Sequence, residues 1–419
     1  MQIPADDLPV INEISSPQEG GDPRVAFAVK LGRALHRYGI PTHRLEQLMN
    51  LVLRRLGING HFFSMPTGIL ASFGTPEDQR TSLIRVEPSD VDLEKLALLD
   101  ELAGQVIRGQ VSAAEGAARV DRIVGAAPRY GTLLTVLSFA VASGAAARFF
   151  SGGWREILAS ALIGLIVGCL ASVVGRSEDA TQVFEPAAAI LSSSLAIVAA
   201  RVFSPLSIYV TTLAGVIVLI PGLTVTIAIR ELATRNLVSG TARLMGAVLL
   251  FLEIGFGVLL GRQLDRLLPP VPPHAEPIPL AAWTLWAALL VAPLAFSVLL
   301  RARPHDISWI MAASLLSFGG ARAGAYLLGP QLGVFVGAAL VGAGSNLYAR
   351  LLRRPAAIPL VPGILLLVPG SVGFGSFYKF IDRDVLSGVE TAFNMILIAI
   401  ALVTGLLVAN ISVPPRRAL

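Results

Sequence analysis

The chain has 419 residues, 54% of them hydrophobic and 15% charged, with a formal net charge of +5 and a mean hydropathy of +0.70. A soluble globule carries about a quarter charged residues, so the composition excludes a wholly soluble protein and predicts a polytopic membrane protein. The single cysteine, Cys169, rules out a disulfide framework and reads as a small buried hydrophobe, while the basic excess reads as arginine in cytoplasmic loops rather than as a nucleic-acid surface.

Residues 1–23 are acidic and rich in Pro and Gly, lack the basic and apolar regions of a signal peptide, and are expected to be a disordered tail. Residues 24–129 read as a soluble, cytoplasmic α+β domain. Ala28, Leu31, Leu35 and Tyr38 share one face of a helix that Gly39 ends. Pro41 and Thr42 start a second, striped by Leu45, Leu48, Met49, Val52, Leu53 and Leu56 and stopped by Gly57. Residues 61–73 predict a hairpin bent at Pro66-Thr67-Gly68, and 82–86 a third strand. A helix follows over 92–109, and the capping pair Ser112 and Glu115 opens another, through Val124.

From Tyr130 onward the apolar runs predict ten spans, at 131–150, 157–175, 184–203, 207–221, 242–261, 280–300, 307–328, 332–352, 356–369 and 388–411. The expected fold class is an all-α polytopic membrane protein of two inverted five-helix repeats, 130–266 and 280–412. A stiff Pro-rich linker at 267–279 joins them, and a cytoplasmic tail at 413–419 follows. Arginine is denser on the side that shares the N-terminal domain, which predicts that both termini are cytoplasmic.

The repeat rests on one register. Val218-Leu219-Ile220-Pro221-Gly222 returns as Leu366-Leu367-Val368-Pro369-Gly370, and Gly215, Ser239, Gly240 and Gly257 return at Gly363, Ser387, Gly388 and Gly405. The fourth and ninth spans end at these Pro-Gly pairs, where proline removes a helical hydrogen bond. Freed backbone at membrane depth is tolerated only against protein or a water-filled cavity, so the breaks are expected to line a cavity. The polar stretches that follow are candidate gates: 223–239 with Thr224, Thr226, Arg230 and Arg235, and 371–387 with Lys379, Asp382, Arg383 and Asp384.

Several polar residues inside spans are candidates for binding substrate or ions. Glu253 sits mid-span, where it either exchanges a proton with the cavity or serves as a neutral structural carboxyl. Arg322 either holds a substrate carboxylate or pairs with Glu253. Glu390 and Asn394 are four apart on one helical face; Glu390 is alternatively a solvated helix-end residue. Glu185 is a candidate ligand or a helix-dipole partner. Ser193, within Ser192-Ser193-Ser194, offers a hydroxyl to an amino acid or a small residue to helix packing, and Asn346 carries the same two readings. The five histidines are scattered without ligand spacing, so no metal or other cofactor is expected. No phosphate-binding loop and no nucleophile elbow is present, which disfavours an ATP-driven pump and an enzyme. Arg33, Arg37, Arg44, Arg54 and Arg55 read as a solvated basic face near anionic lipid.

Leu31-Gly32, Leu35, Gly39, Pro41-Thr42, Arg44 and Glu46, then Met65-Pro66-Thr67-Gly68-Ile69, Arg85-Val86 and Tyr130 resemble the opening of the threonine/serine exporter family. The ten-span body with its Pro-Gly breaks is similar to the same family. In some relatives the two parts are separate chains; here they are fused. The resemblance implies export of threonine and serine across the bacterial inner membrane, driven by the proton motive force. Small dicarboxylates such as succinate are the alternative substrates it suggests, and a passive metabolite channel is the alternative mechanism. The expected partners are such a small molecule, protons and the lipid bilayer, with no nucleic acid; a homo-oligomer is left open.

Overall fold

A computed structural model describes residues 22–75, 77–87, 89–175, 181–263 and 277–414. Residues 1–21 of the expected tail, most of the Pro-rich linker and the last five residues lie outside the described residues, while Asp22 and Pro23, also assigned to the tail, cap and open the first helix.

The N-terminal part follows the order read from the sequence. Helices α1 (Pro23–Arg37) and α2 (Thr42–Leu56) precede strands β1 (Gly60–Met65), β2 (Gly68–Thr75) and β3 (Asp78–Arg85), then α3 (Leu93–Ile107) and α4 (Ala113–Gly125). The sheet is an antiparallel meander, with Met65 opposite Gly68 and Gly68 opposite Arg85. One face of each helix builds the core: Phe27, Leu31, Leu35, Leu45, Met49 and Leu99 are fully buried. Asp92 and Ser112 cap α3 and α4 through the amides of Lys95 and Glu115.

The remainder is helical: α5 (Thr132–Phe149), α6 (Trp154–Val174), α7 (Phe184–Val202), α8 (Ile208–Gly215), α9 (Gly222–Ala233), α10 (Leu237–Arg262), α11 (Trp283–Leu299), α12 (Ile307–Leu328), α13 (Pro330–Leu352), α14 (Ala357–Leu365), α15 (Gly370–Ile381) and α16 (Val385–Ser412). Ten spans were expected. Among the described residues, seven stretches are long and apolar enough to cross a membrane, and the bent pair α8–α9 makes an eighth. The two expected spans outside that set have physical reasons. Helix α11 is apolar but only 17 residues long, and α12 dilutes its apolar run with Ser314, Ser317, Gly319, Gly320 and Arg322. Cys169 also departs from expectation: it is exposed on the outer surface of α6 rather than buried.

The two stretches expected as polar gates are helices. Pro221 and Pro369 are the N-caps of α9 and α15, a position where a missing N–H costs nothing because the first turn has no partner for it. Val225 and Ala228 on α9, and Phe374 on α15, give each helix an apolar face to bury. After each comes a tight corner at a residue of positive φ, Arg235 and Arg383. Packing is reciprocal: α9 lies against α16, α10 against α15, and α5 against α11.

The N-terminal unit docks on this body at separate places. Near the α9–α10 corner, Thr42 N donates to Glu231 Oε1 at 3.0 Å, Thr42 Oγ1 donates to Ser239 Oγ at 3.1 Å, and Ser239 Oγ donates to Ser64 O at 3.0 Å. At the α11–α12 connection, Leu93 N donates to Leu300 O and Tyr130 Oη to Ala302 O, while Arg301 and Arg303 face Asp92 and Glu94. Ala97 of α3 packs on Tyr348 and Ile358.

Candidate functional site: the paired helix breaks and their cavity

Helix α8 ends at Gly215, a single 3₁₀ turn covers Ile217–Leu219, and α9 leaves at 51° to α8. Helices α14 and α15 are interrupted at the matching place, Leu366–Pro369, but more gently: there is no 3₁₀ turn, and the pair runs on as one apolar stretch, Ala357–Ile381. The two breaks touch. A Cβ built on Gly222 would lie 2.1 Å from Val368 Cγ1 and 3.1 Å from Gly370 Cα; one built on Gly370 would lie 2.7 Å from Ile220 Cγ2. Glycine is needed at both positions because backbone meets backbone there.

The backbone groups freed by the first break are answered locally. Gly222 N donates to Ile220 O at 2.8 Å, Thr226 Oγ1 donates to Gly222 O at 3.1 Å, and Ser192 Oγ reaches across from α7 to Thr212 O at 3.2 Å. Beside the breaks lies a cavity of about 1420 Å³. It runs from Ser89–Val91 and Tyr130, at the N-terminal unit, to Phe149–Ser151 at the far end of α5. Ile217–Pro221, Thr224, Leu366, Val368 and Ser371 line its middle, so both breaks border it.

Of the residues singled out from the sequence, the cavity brings together Pro221, Thr224, Glu185 and Arg322, and it adds Arg148. Arg148 Nε donates to Thr284 Oγ1 at 2.7 Å. Arg322 makes no hydrogen bond or ion pair among the described residues, so the anticipated pairing with Glu253 is absent. Glu253 is half-buried one turn before Gly257, which packs on the carbonyl of Pro186; its carboxyl is near enough to Glu185 for the two charges to interact, but it does not line the cavity. The others stand apart. Ser193 Oγ donates to Val258 O at 3.3 Å and joins α7 to α10. Asn346 Nδ2 donates to Asn410 Oδ1 at 3.0 Å and to Val413 O at 2.9 Å, tying α13 to the end of α16. Glu390 is exposed, and Asn394 is half-buried one turn further on.

Each α9- and α15-corner is stapled. In the first, Glu231, fully buried, meets Arg243 Nε at 3.0 Å. In the second, Lys379 Nζ donates to Thr391 Oγ1 at 2.8 Å, and Arg262 meets Asp382 at 2.5 Å. Glu231 and Arg243 stand in the same register as Lys379 and Thr391. Tyr209, Phe374 and Tyr378 pack together, with the Tyr209 and Tyr378 rings 4.8 Å apart and Arg262 over the Tyr378 ring. Sequence reasoning named Arg230 in a polar candidate gate but passed over Glu231. The signal available was an acid four and three residues after the apolar Ile227 and Ala228, on one helical face.

The sequence matches a family model described as a putative threonine/serine exporter over residues 26–265 and a second described as a threonine/serine exporter over residues 285–412. Pheromone-regulated membrane protein 10 of Yarrowia lipolytica is 29% identical over 368 residues, 83% of this chain and 30% of that protein. The Candida albicans protein of that name is 29% identical over 383 residues, 88% of this chain and 34% of the relative. An uncharacterized protein of Schizosaccharomyces pombe is 25% identical over 434 residues, 94% of this chain and 51% of the relative. The chain thus spans about a third to a half of the curated relatives it matches. No solved structure matches it.

Proposed function

Because the chain belongs to the threonine/serine exporter family, we propose that it is a secondary exporter of threonine, serine or a similar small polar metabolite, coupled to protons. The observation that carries this reading is the cavity that borders both Pro-Gly breaks and holds Glu185 and Arg322. A guanidinium without a protein partner offers a bidentate seat for a substrate carboxylate. Glu185, on the same cavity wall, offers a carboxyl group that can carry a proton.

The matching corners at Arg235 and Arg383, the equal lengths of α9 and α15 and the reciprocal packing support two related halves. In this reading the halves are inverted five-span units, α8–α9 and α14–α15 each form one broken span, and the total is ten. The stapled corners then gate opposite sides, the N-terminal unit being cytoplasmic in a bacterial inner membrane with both termini inside. The staples would open in turn, as alternating access requires. The chain acts as a transporter and not as an enzyme.

The test is threonine efflux from proteoliposomes under an imposed proton gradient. Accelerated efflux that a protonophore stops, and that Arg322→Gln and Glu185→Gln each reduce, supports the proposal. Flux that survives the protonophore replaces it with a passive channel. Flux of a dicarboxylate but not of threonine or serine replaces the substrate.

A further inference from the structure

The junction between the N-terminal unit and α9 holds two guanidiniums that no acid answers. Arg230 is only 9% exposed, and its Nε is sealed from solvent without a hydrogen-bond partner. Arg44, half-buried in the first turn of α2, is near enough for its charge to act on Arg230. Neither side chain forms a hydrogen bond or an ion pair among the described residues. Both charges also act on His43, whose Nδ1 is likewise buried and unbonded. Burial and the two guanidiniums push His43 down to about 3, so its ring is neutral and adds no charge. Nearby carboxylates are engaged elsewhere: Glu231 accepts from Thr42 N and meets Arg243, and Glu46 accepts from Ser64 N. The expected solvated basic face is therefore only partly that. Arg33, Arg37, Arg54 and Arg55 are exposed, but Arg44 turns into the junction.

Two like charges held together out of water are unfavourable unless an opposite charge joins them. The positive end of the α2 dipole points the same way, since His43 and Arg44 lie in its first turn. We infer that the junction of α2 with α9 is a binding site for a small oxyanion, a carboxylate or a phosphate group, clamped between Arg44 and Arg230. Guanidinium matches either group with two parallel N–H donors. Arg44, the more exposed of the pair, marks the entrance. Arg230 stands six residues beyond Thr224, about 9 Å along the helix, so an anion here bears directly on the helix that leads out of the first break. Two sources supply such a group: a free cytoplasmic anion, including the substrate's own carboxylate, and a phospholipid headgroup at the membrane surface.

The experiment is thermal unfolding of the full chain in zwitterionic detergent, with inorganic phosphate, threonine or phosphatidylglycerol as probes and chloride at equal ionic strength as control. The site predicts a saturable rise of a few degrees in melting temperature with at least one probe. Exposed Arg55→Gln retains that rise, whereas Arg44→Gln and Arg230→Gln weaken the probe's apparent affinity tenfold or more. Arg230→Gln also removes an uncompensated charge and so raises the melting temperature in anion-free buffer, which a merely damaged fold would not do. A response to phosphate or threonine identifies a soluble anion; a response to phosphatidylglycerol alone identifies the headgroup. No response to any probe, or a response undiminished in both arginine variants, overturns the inference.

Discussion

An alanine methyl at Gly222 would meet Val368 Cγ1 at 2.1 Å, whereas at Gly246 it would meet nothing within 4 Å. Gly222→Ala is therefore expected to cost about 1–3 kcal/mol by overpacking, and Gly246→Ala close to nothing. Adding Val368→Ala to Gly222→Ala should recover part of the loss, because the clash is with a side chain. Melting temperatures of the purified variants check the series, and equal effects at both glycines would refute the contact. His43 gives a pH prediction. Its ordinary value is 6.5 and its folded value about 3, so between those limits the unfolded chain binds a proton that the folded chain refuses. Stability is then undiminished above pH 6.5 and falls as the pH drops from 6.5 towards 3. Buried His36 shifts in the same direction. His43→Asn should flatten the acid side of a melting-temperature profile, and an unchanged slope would place His43 in solvent. Little of this was legible at the residue level. The Pro-Gly pairs announced a break, but the partners of Thr42 lie 189 and 197 residues away, and no local pattern encodes such a distance.

Elements were far more legible, because periodicity and punctuation are local. Leu45, Leu48, Met49, Val52 and Leu53 repeat at helical spacing, and Gly57 ends α2 in the left-handed conformation, as its sequence position indicates. The stretch after each Pro-Gly reads as polar in the sequence because of its Arg and Lys. In α9 and α15 those charges lie in the last turn, where cations suit the helix dipole, while the apolar face does the packing. Helix α9 also carries one polar link to the N-terminal unit, through Glu231. Glu231→Ala strands Arg243 and frees the Thr42 amide, and breaking a buried pair in this way costs about 3–5 kcal/mol. The N-terminal unit should then undock at this contact. Limited proteolysis within residues 126–131 should speed up roughly tenfold or more, since each factor of ten needs only about 1.4 kcal/mol. Unchanged cleavage would mean that the contacts around Leu300–Arg303 hold the unit alone.

At the scale of the molecule, the N-terminal unit grips the α9–α10 corner and also the α11–α12 connection, so it bridges parts of the chain far apart in sequence. Rearrangement between those parts must loosen one grip. Thr42 Oγ1 and Ser239 Oγ are 3.1 Å apart, near enough for a cysteine pair to close. In a Cys169→Ser background, Thr42→Cys with Ser239→Cys should arrest threonine efflux when oxidised and recover it when reduced. Oxidised protein that transports at the reduced rate would separate the N-terminal unit from the transport cycle. A small three-stranded sheet near the N-terminus and a body of apolar helices were both legible in the sequence; the joint between them was not, because it is made of single polar atoms and has no periodicity.

The back-to-back glycines carry a consequence for descent. A methyl at position 222 is felt at 368 and 370, and a methyl at 370 is felt at 220 and 222. Neither break is free to drift by itself. Across homologous chains the two Pro-Gly pairs are expected to change together or not at all, although they lie in different halves of the chain, and a chain split between the halves would inherit the same constraint in two genes.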